Sequence, residues 1–218
     1  MSYTNEARVI FWRIKRRHIP WAILRMGLDR LQLRRGQIEF WKLLGTGSGE
    51  TFTVRDANPY RWGVIMVGKD LPNLAHWDRR AIARKEFSIQ PIAVNGLWAK
   101  QDPFASMERV DGKSWEGKVA AITRARIKWR HNRKFWRSVP PVNLALHSSP
   151  GLESAIGIGE APIGLQGTFS IWDSPQAIRD FAYRSPAHQG AIEATKRIGW
   201  YSEEMFARFA VIKESGDW

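Results

Sequence analysis

The stretch TFSIWDSPQAIRDFAYRSPAHQGAIEATKRIGWYSEEMFARFAV, residues 168–211, decides how this chain is read. It opens on a strand pattern, Phe169-Ser170-Ile171-Trp172, and closes on another, Phe206 to Val211. Two helical patterns lie between them. The second begins at Ser185, a good N-cap, with Pro186 at the first helical position, where the missing N–H is no loss. From there His188, Ala191, Ile192, Thr195 and Ile198 recur at helical spacing and share one face. A lone histidine on an apolar face is ordinarily a core residue with a satisfied hydrogen bond. The alternative is a metal ligand. The first turn of a helix carries partial positive charge that disfavours imidazolium, and neutral imidazole is the form that binds iron or zinc.

Working outward, the element order of this stretch completes a repeat. Val9 to Ile14, Glu39 to Leu44, Trp62 to Val67 and Phe87 to Val94 read as strands, with helices expected over His18–Arg35 and Leu71–Lys85. The order β-α-β-β-α-β then recurs, with strands at Val119–Ile127, Ser154–Ile158, Thr168–Trp172 and Phe206–Val211 and a helix over Trp129–Trp136. Landmarks recur too: Gly47-Ser48-Gly49-Glu50 with Gly157-Ile158-Gly159-Glu160, Asp70-Leu71-Pro72 with Asp173-Ser174-Pro175, and Phe87 with Phe206. This predicts an α+β chain of two fused ferredoxin-like units, residues 1–105 and 119–218 about a linker at 106–118, whose sheets form a dimeric α+β barrel within one chain. From Asp70 to Phe87 is 17 positions (87 − 70), and from Asp173 to Phe206 is 33 (206 − 173). The surplus carries the His188 helix, a departure from the shared scaffold of the kind on which function is grafted.

Composition narrows the chemistry. The 218 residues hold no cysteine, which excludes disulfides, iron–sulfur clusters, thiolate-ligated haem and cysteine nucleophiles. Any metal must be held by His, Tyr, Asp or Glu. No uncharged apolar run is long enough to span a bilayer, and the N-terminus lacks a signal-peptide core, so a cytoplasmic protein is expected. The net charge is +13, with basic residues crowded in the first segment and between Val119 and Val142. Such a field favours nucleic acid, an acidic membrane surface or cofactor carboxylates, although most single arginines simply face solvent. The 12 tryptophans fit broad flat contacts in a core, around a conjugated ligand or at a bilayer interface. The run Gly45-Thr46-Gly47-Ser48-Gly49 lacks the Lys-Ser/Thr and the helix of a phosphate loop. Its echo at Gly157 and Gly159 speaks for a backbone role.

Several segments together resemble the spheroidene monooxygenase family of carotenoid biosynthesis. They are FWKLLGTGSGE (Phe40 to Glu50), WAKQDPF (Trp98 to Phe104), TRARI (Thr123 to Ile127), FWRSVPP (Phe135 to Pro141), PGLESAIGIGEAPIGLQGTFSIW (Pro150 to Trp172), and Phe181 to Phe209. The resemblance implies a haem b-dependent monooxygenase that inserts oxygen from O2 at an allylic methylene of an acyclic carotenoid, giving a ketone after two rounds. It implies His188 as the iron ligand, with Tyr183 and Tyr201 as alternatives. Trp172, Tyr183 and Trp200 are expected beside the cofactor, and Trp98 and Phe104, with Trp172, along a substrate tunnel. Arg124 and Arg126, two apart on one strand face, are expected to pair with a propionate or polarise bound oxygen, and Glu204 to orient His188. The expected partners are a hydrophobic small molecule, an electron donor such as ferredoxin and a second copy of the chain, with peripheral contact at the inner face of the cytoplasmic membrane and no nucleic acid. Two other readings stay open: a haem enzyme of the same barrel doing N-oxidation or dehydration, and a basic non-catalytic module for RNA or acidic lipid.

Overall fold

The computed structural model describes residues 5–34, 38–47, 56–160, 165–184 and 186–218, with the backbone alone for 32, 34, 132–139, 165, 166, 186–188, 191, 192 and 196. Its eight strands are β1 (Glu6–Ile14), β2 (Ile38–Gly47), β3 (Ala57–Gly68), β4 (Ala81–Gly96), β5 (Val119–Ile127), β6 (Leu152–Gly159), β7 (Leu165–Trp172) and β8 (Tyr201–Gly216). The helices are α1 (Ile19–Arg34), α2 (Ala75–Asp78), α3 (Asn132–His147), α4 (Pro175–Arg184) and α5 (Pro186–Ile198). All strand pairs are antiparallel. They close in the order β1-β3-β2-β6-β7-β5-β8-β4.

The strand alternation explains the layers. On β1, Ala7, Val9 and Phe11 turn inward, and on β5 Ala120 and Ile122 do the same. With Ile65, Phe87, Phe169, Phe209 and others they fill the barrel. Phe169 sits between Phe11 and Phe87, each ring centroid 5.3 Å away. The alternate residues Ile10, Trp12, Val64 and Met66 face outward and are buried beneath α1 and α2 with Leu33, Leu74 and Trp77. A smaller outer layer joins Val119, Ala121 and Trp172 to Leu146 and Ile178.

Strands β4 and β8 are the long seam of the barrel. If Ala81 is laid on Tyr201, the pair Lys85–Gly216 exchanges with Gly96–Met205, and the bulge at Ser88/Ile89 exchanges with that at Pro91/Ala93. The same overlay lays Gly96-Leu97-Trp98 on Gly216-Asp217-Trp218. Each tryptophan covers one mouth of the barrel. The Arg124 guanidinium lies 5.5 Å from the Trp98 ring, and Phe11 lies 5.7 Å from Trp218. Across the shorter seam the glycine runs of the two halves meet, Gly45 opposite Gly159 and Gly47 opposite Gly157, so their role is backbone pairing. Ser48 to Glu50 lie outside the described residues.

Three sequence expectations change. The helix expected over Leu71–Lys85 is only Ala75–Asp78. From Ala81 the chain pairs with β1, Ala81 opposite Ile14, and sheet pairing overrides the local helical pattern. The helix expected at Trp129–Trp136 is a 3-10 turn followed by α3, which continues through Pro140 and Pro141. Both prolines are exposed, so their rings displace no packed neighbour. The match of Phe87 to Phe206 is one residue out of phase. Laying Ala81 on Tyr201 makes Ala207 the equivalent of Phe87, both facing inward, and leaves Phe206 on the outer face at 40% exposure.

Gly96 and Gly216 make these turns at φ +92° and +75°, where a Cβ would stand 2.1 Å from the Glu204 carbonyl oxygen and 1.9 Å from that of Arg84. Gly96→Ala and Gly216→Ala are each expected to lower unfolding free energy by about 1–3 kcal/mol from backbone strain alone, with the contact adding to it. Urea titration showing wild-type stability for both variants would count against these two close backbone approaches.

Candidate active site

Strand β5 divides the chemistry between two places. Its inward face carries Arg124, 3% exposed, at one mouth of the barrel. The Arg124 guanidinium donates to Glu160 Oε1 from Nη2 at 3.1 Å and from Nε at 3.3 Å, and to Glu203 from Nη1. Trp98 Nε1 donates to the same Glu160 oxygen at 2.7 Å, and Lys42 Nζ stands 3.1 Å from Glu160 Oε2. The backbone N–H groups of Ala99 and Lys100 donate to Glu203 at 3.2 and 2.7 Å. Both residues are held at positive φ, +56° and +66°. Two cations therefore balance two carboxylates, and the Gly96–Gln101 turn is tied to the wall. Burial opposes ionisation of Glu203, but the Lys100 N–H and the Arg124 guanidinium hold its carboxyl below the usual range.

The outward face differs between the two sets of strands. The register lays Ile10 of β1 on Thr123 of β5, Val64 on Thr168, Met66 on Ser170 and Trp12 on Ala125. Where the first set presents four large side chains to α1 and α2, the second presents four small ones. Thr123 is exposed at the middle of its sheet, beside the exposed Phe206. Among the described residues, α5 lies closest to α3 and α4 rather than to the strands below. The result is an outward face of small side chains bordered by the buried Trp172, whose ring lies 5.4 Å from Phe181 and whose Nε1 donates to Ser170 Oγ at 3.0 Å.

The other expected site residues fall as follows. His188 lies in the first turn of α5, and its side chain, like Ser185, is outside the described residues. Trp200 is buried and donates Nε1 to Thr195 Oγ1 at 3.0 Å. Tyr183 is 67% exposed on α4. Tyr201 is half-buried, and burial pushes its phenol up. Glu204 is on the outward face of β8, opposite Ala125, and burial pushes its carboxyl up. Arg126 is exposed at the rim. Trp98 and Phe104 are both 1% exposed inside the barrel, against Phe40 and Phe209 at 5.3 and 4.7 Å. The structure thus joins Arg124 with Trp98, and sets both apart from the face that α5 covers.

Sequence reading passed over Thr123, Thr168, Ser170 and Phe206. The available signal was the duplicated strands themselves, aligned by inward and outward phase rather than by matching aromatic residues. Glu160, just after β6, was marked only as the last residue of the recurring Gly157-Ile158-Gly159-Glu160 landmark, and Glu203, near the start of β8, carried no signal beyond its charge. Among the described residues no three His, Asp or Glu side chains gather as a metal-ligand set.

Replacing Arg124 by Met should cost about 3–5 kcal/mol, because it strands two carboxylates in a buried mouth. Arg124→Met with Glu160→Gln and Glu203→Gln together should recover much of that loss in denaturant titrations. The lowered Glu203 also sets a pH dependence. Stability is full above its unfolded value of 4.5 and falls as the pH drops through the lower folded value. Glu203→Gln should flatten that acid limb, and an unchanged limb would count against the ionised network.

No family model matches the chain. The chain is similar to the spheroidene monooxygenase of Rhodobacter capsulatus, 33% identical over 211 residues, covering 92% of this chain and 87% of that protein. It is 29% identical over 210 residues to that of Cereibacter sphaeroides, covering 91% of this chain and 64% of the relative, and 42% identical over 130 residues to that of Rubrivivax gelatinosus, covering 59% and 48%. The chain thus spans most of the first relative and under two thirds of the other two. In fold it is similar to an aldoxime dehydratase solved with butyraldoxime, at a TM-score of 0.57 and 10% identity, covering 95% of this chain and 79% of that one.

Proposed function

Because the chain belongs to the spheroidene monooxygenase family, and is on that ground an oxidoreductase, we propose that it uses haem b to oxidise an acyclic carotenoid at an allylic methylene, through to the ketone. The observation that supports the site is the outward face of β5, β7 and β8. Thr123, Ala125, Thr168 and Ser170 stand where the first set of strands carries Ile10, Trp12, Val64 and Met66. A flat macrocycle needs a broad slot with small side chains on its floor. We read the two sets of strands as fused ferredoxin-like units, 1–105 and 119–218 about the 106–118 linker, forming a dimeric α+β barrel in which only the second unit leaves such a slot.

His188, in the first turn of α5, is the residue we assign to hold the iron. The helix terminus favours the neutral imidazole that a metal requires. Bound haem would supply activation of O2, with electrons from a donor such as ferredoxin, chemistry that side chains alone do not perform. Each round adds one oxygen atom to the methylene and releases the other as water, and the second round leaves a geminal diol that dehydrates to the ketone. The chain's own part is to bind and to exclude water. Trp172 and Phe181 close one wall with apolar rings. Phe206 offers an exposed apolar surface on the floor, and we assign the polyene's approach to it rather than to Trp98 and Phe104, which are enclosed by their own neighbours. Arg126, exposed at the rim, shares the inward phase of Arg124, so we do not assign it to the outward slot. Arg124, committed to Glu160 and Glu203, acts as a positioning residue for the turn above it. A substrate that resides in a bilayer also calls for contact with a membrane.

Two variants test the site. His188→Ala should abolish the Soret band and stoichiometric haem. Thr123→Trp, which fills the slot from the floor, should do the same while keeping cooperative unfolding. Retention of one haem per chain by both would sink the assignment.

A further inference from the structure

Helix α1 has two apolar faces, and only one is covered. Ala22, Met26 and Leu33 pack on the barrel. On the other side Pro20, Ile23, Leu24, Gly27, Leu28 and Leu31 form one exposed stripe, with Ile23, Leu24, Leu28 and Leu31 exposed at 60, 60, 43 and 55%. The stripe spans twelve residues, about 17 Å of helix, without a charged side chain in its line. Soluble surfaces seldom gather large apolar groups so continuously without a use for them.

Ahead of the stripe lies a cationic turn. Arg13, Lys15, Arg16 and Arg17 are exposed, as is Arg79 nearby. Arg80 stacks 4.4 Å over Trp21 in the first turn of α1. Among the described residues none of these six has a carboxylate within ion-pair distance. Desolvation, then the charges of Arg17, Arg80 and Lys15, hold His18 below its ordinary value, as expected where cations share one field. The single acid of α1, Asp29, is fully buried and bonded to Arg25, His76 and Trp77.

We propose that this stripe, with the cationic turn ahead of it, is the surface by which the protein docks on an anionic lipid bilayer, α1 lying in the plane of the headgroups. Apolar residues along one side of a helix with unpaired cations beside them match that interface in both polarity and charge. A second copy of the chain fits less well. The far end of the helix also carries Arg30, which is exposed, and ends on Arg34, so two α1 helices laid together in either direction bring cations against cations.

The test is co-sedimentation of the whole protein with vesicles of phosphatidylcholine containing a quarter phosphatidylglycerol, and with pure phosphatidylcholine. Wild type should bind the anionic vesicles and release with salt. Leu24→Ser/Leu28→Ser/Leu31→Ser should weaken binding about tenfold or more, and Arg16→Glu/Arg17→Glu by a similar factor. Both variants change exposed residues and should unfold at wild-type denaturant midpoints. Wild-type binding by the triple variant, or no binding by wild type, overturns the proposal. So does a triple variant that loses only a dimer seen by sedimentation velocity. Haem is not needed for any arm, so the outcome is separate from that of the oxidation site.

Discussion

The pairing of β4 with β8 is the constraint on which the rest of the molecule depends. Each set of four strands, alone, would end on a sixteen-residue strand with its outer N–H and C=O groups unpaired, an invitation to aggregation. Joined along their length, the two strands remove that edge and bring the inward faces together around Phe169 and Phe209. The bulges at equivalent places on both strands let the wall curve without losing phase. The same pairing fixes where each strand ends, and therefore where Gly96 and Gly216 must turn to lay Trp98 and Trp218 over the two mouths.

Once the interior is filled, the outward faces are free to diverge. A sheet face needs cover, and the first set of strands obtains it conventionally, from α1 and the buried Trp77 stacked on Trp12 at 5.3 Å. The second set reduces its outward side chains at four equivalent positions and receives two helices, α4 and α5, where the first has the single turn of α2. Extra helix over smaller outward side chains is a change in volume rather than in topology, made with no strand moved.

Much of this architecture was legible in the chain. Strand positions followed from alternation. Glycine runs echoing at Gly45–Gly47 and Gly157–Gly159 pointed to a backbone role, which the seam between β2 and β6 supplies. What was not legible depended on contacts distant in sequence. Ala81–Glu86 carries a pattern that a helix would accept, and only β1 across the sheet makes it a strand. Matching Phe87 to Phe206 by residue type slipped the phase by one, and in a strand one residue exchanges inside for outside. That slip hid Phe206 on the outward face. Arg124 and Arg126 do share a face, but which face the helices cover is decided by the closure of the barrel.

The buried ion network shows why a charged residue inside such a barrel need not be reactive. Arg124, Glu160, Glu203 and Lys42 spend their hydrogen-bonding capacity on one another, on the Trp98 indole and on two backbone N–H groups. Desolvating these charges is costly, and their mutual pairing offsets much of that cost only while every partner is present. A group so committed cannot turn to a ligand without leaving carboxylates stranded. The equivalent position at the other mouth is Phe11, under Trp218, where the Arg61 guanidinium also lies 5.9 Å from the Trp218 ring. One mouth is therefore closed by a network of four charged side chains, and the other by aromatic packing with a guanidinium beside it. The charged mouth is the one where β8 begins, directly after the helix that carries His188. Fixing the start of β8 fixes the end of α5 through the short Gly199-Trp200 connection, whose carbonyl groups accept from the Lys128 ammonium and the Lys128 N–H. The network thus bears on the outward face of the second set of strands by holding the anchor of α5, without a side chain reaching that face.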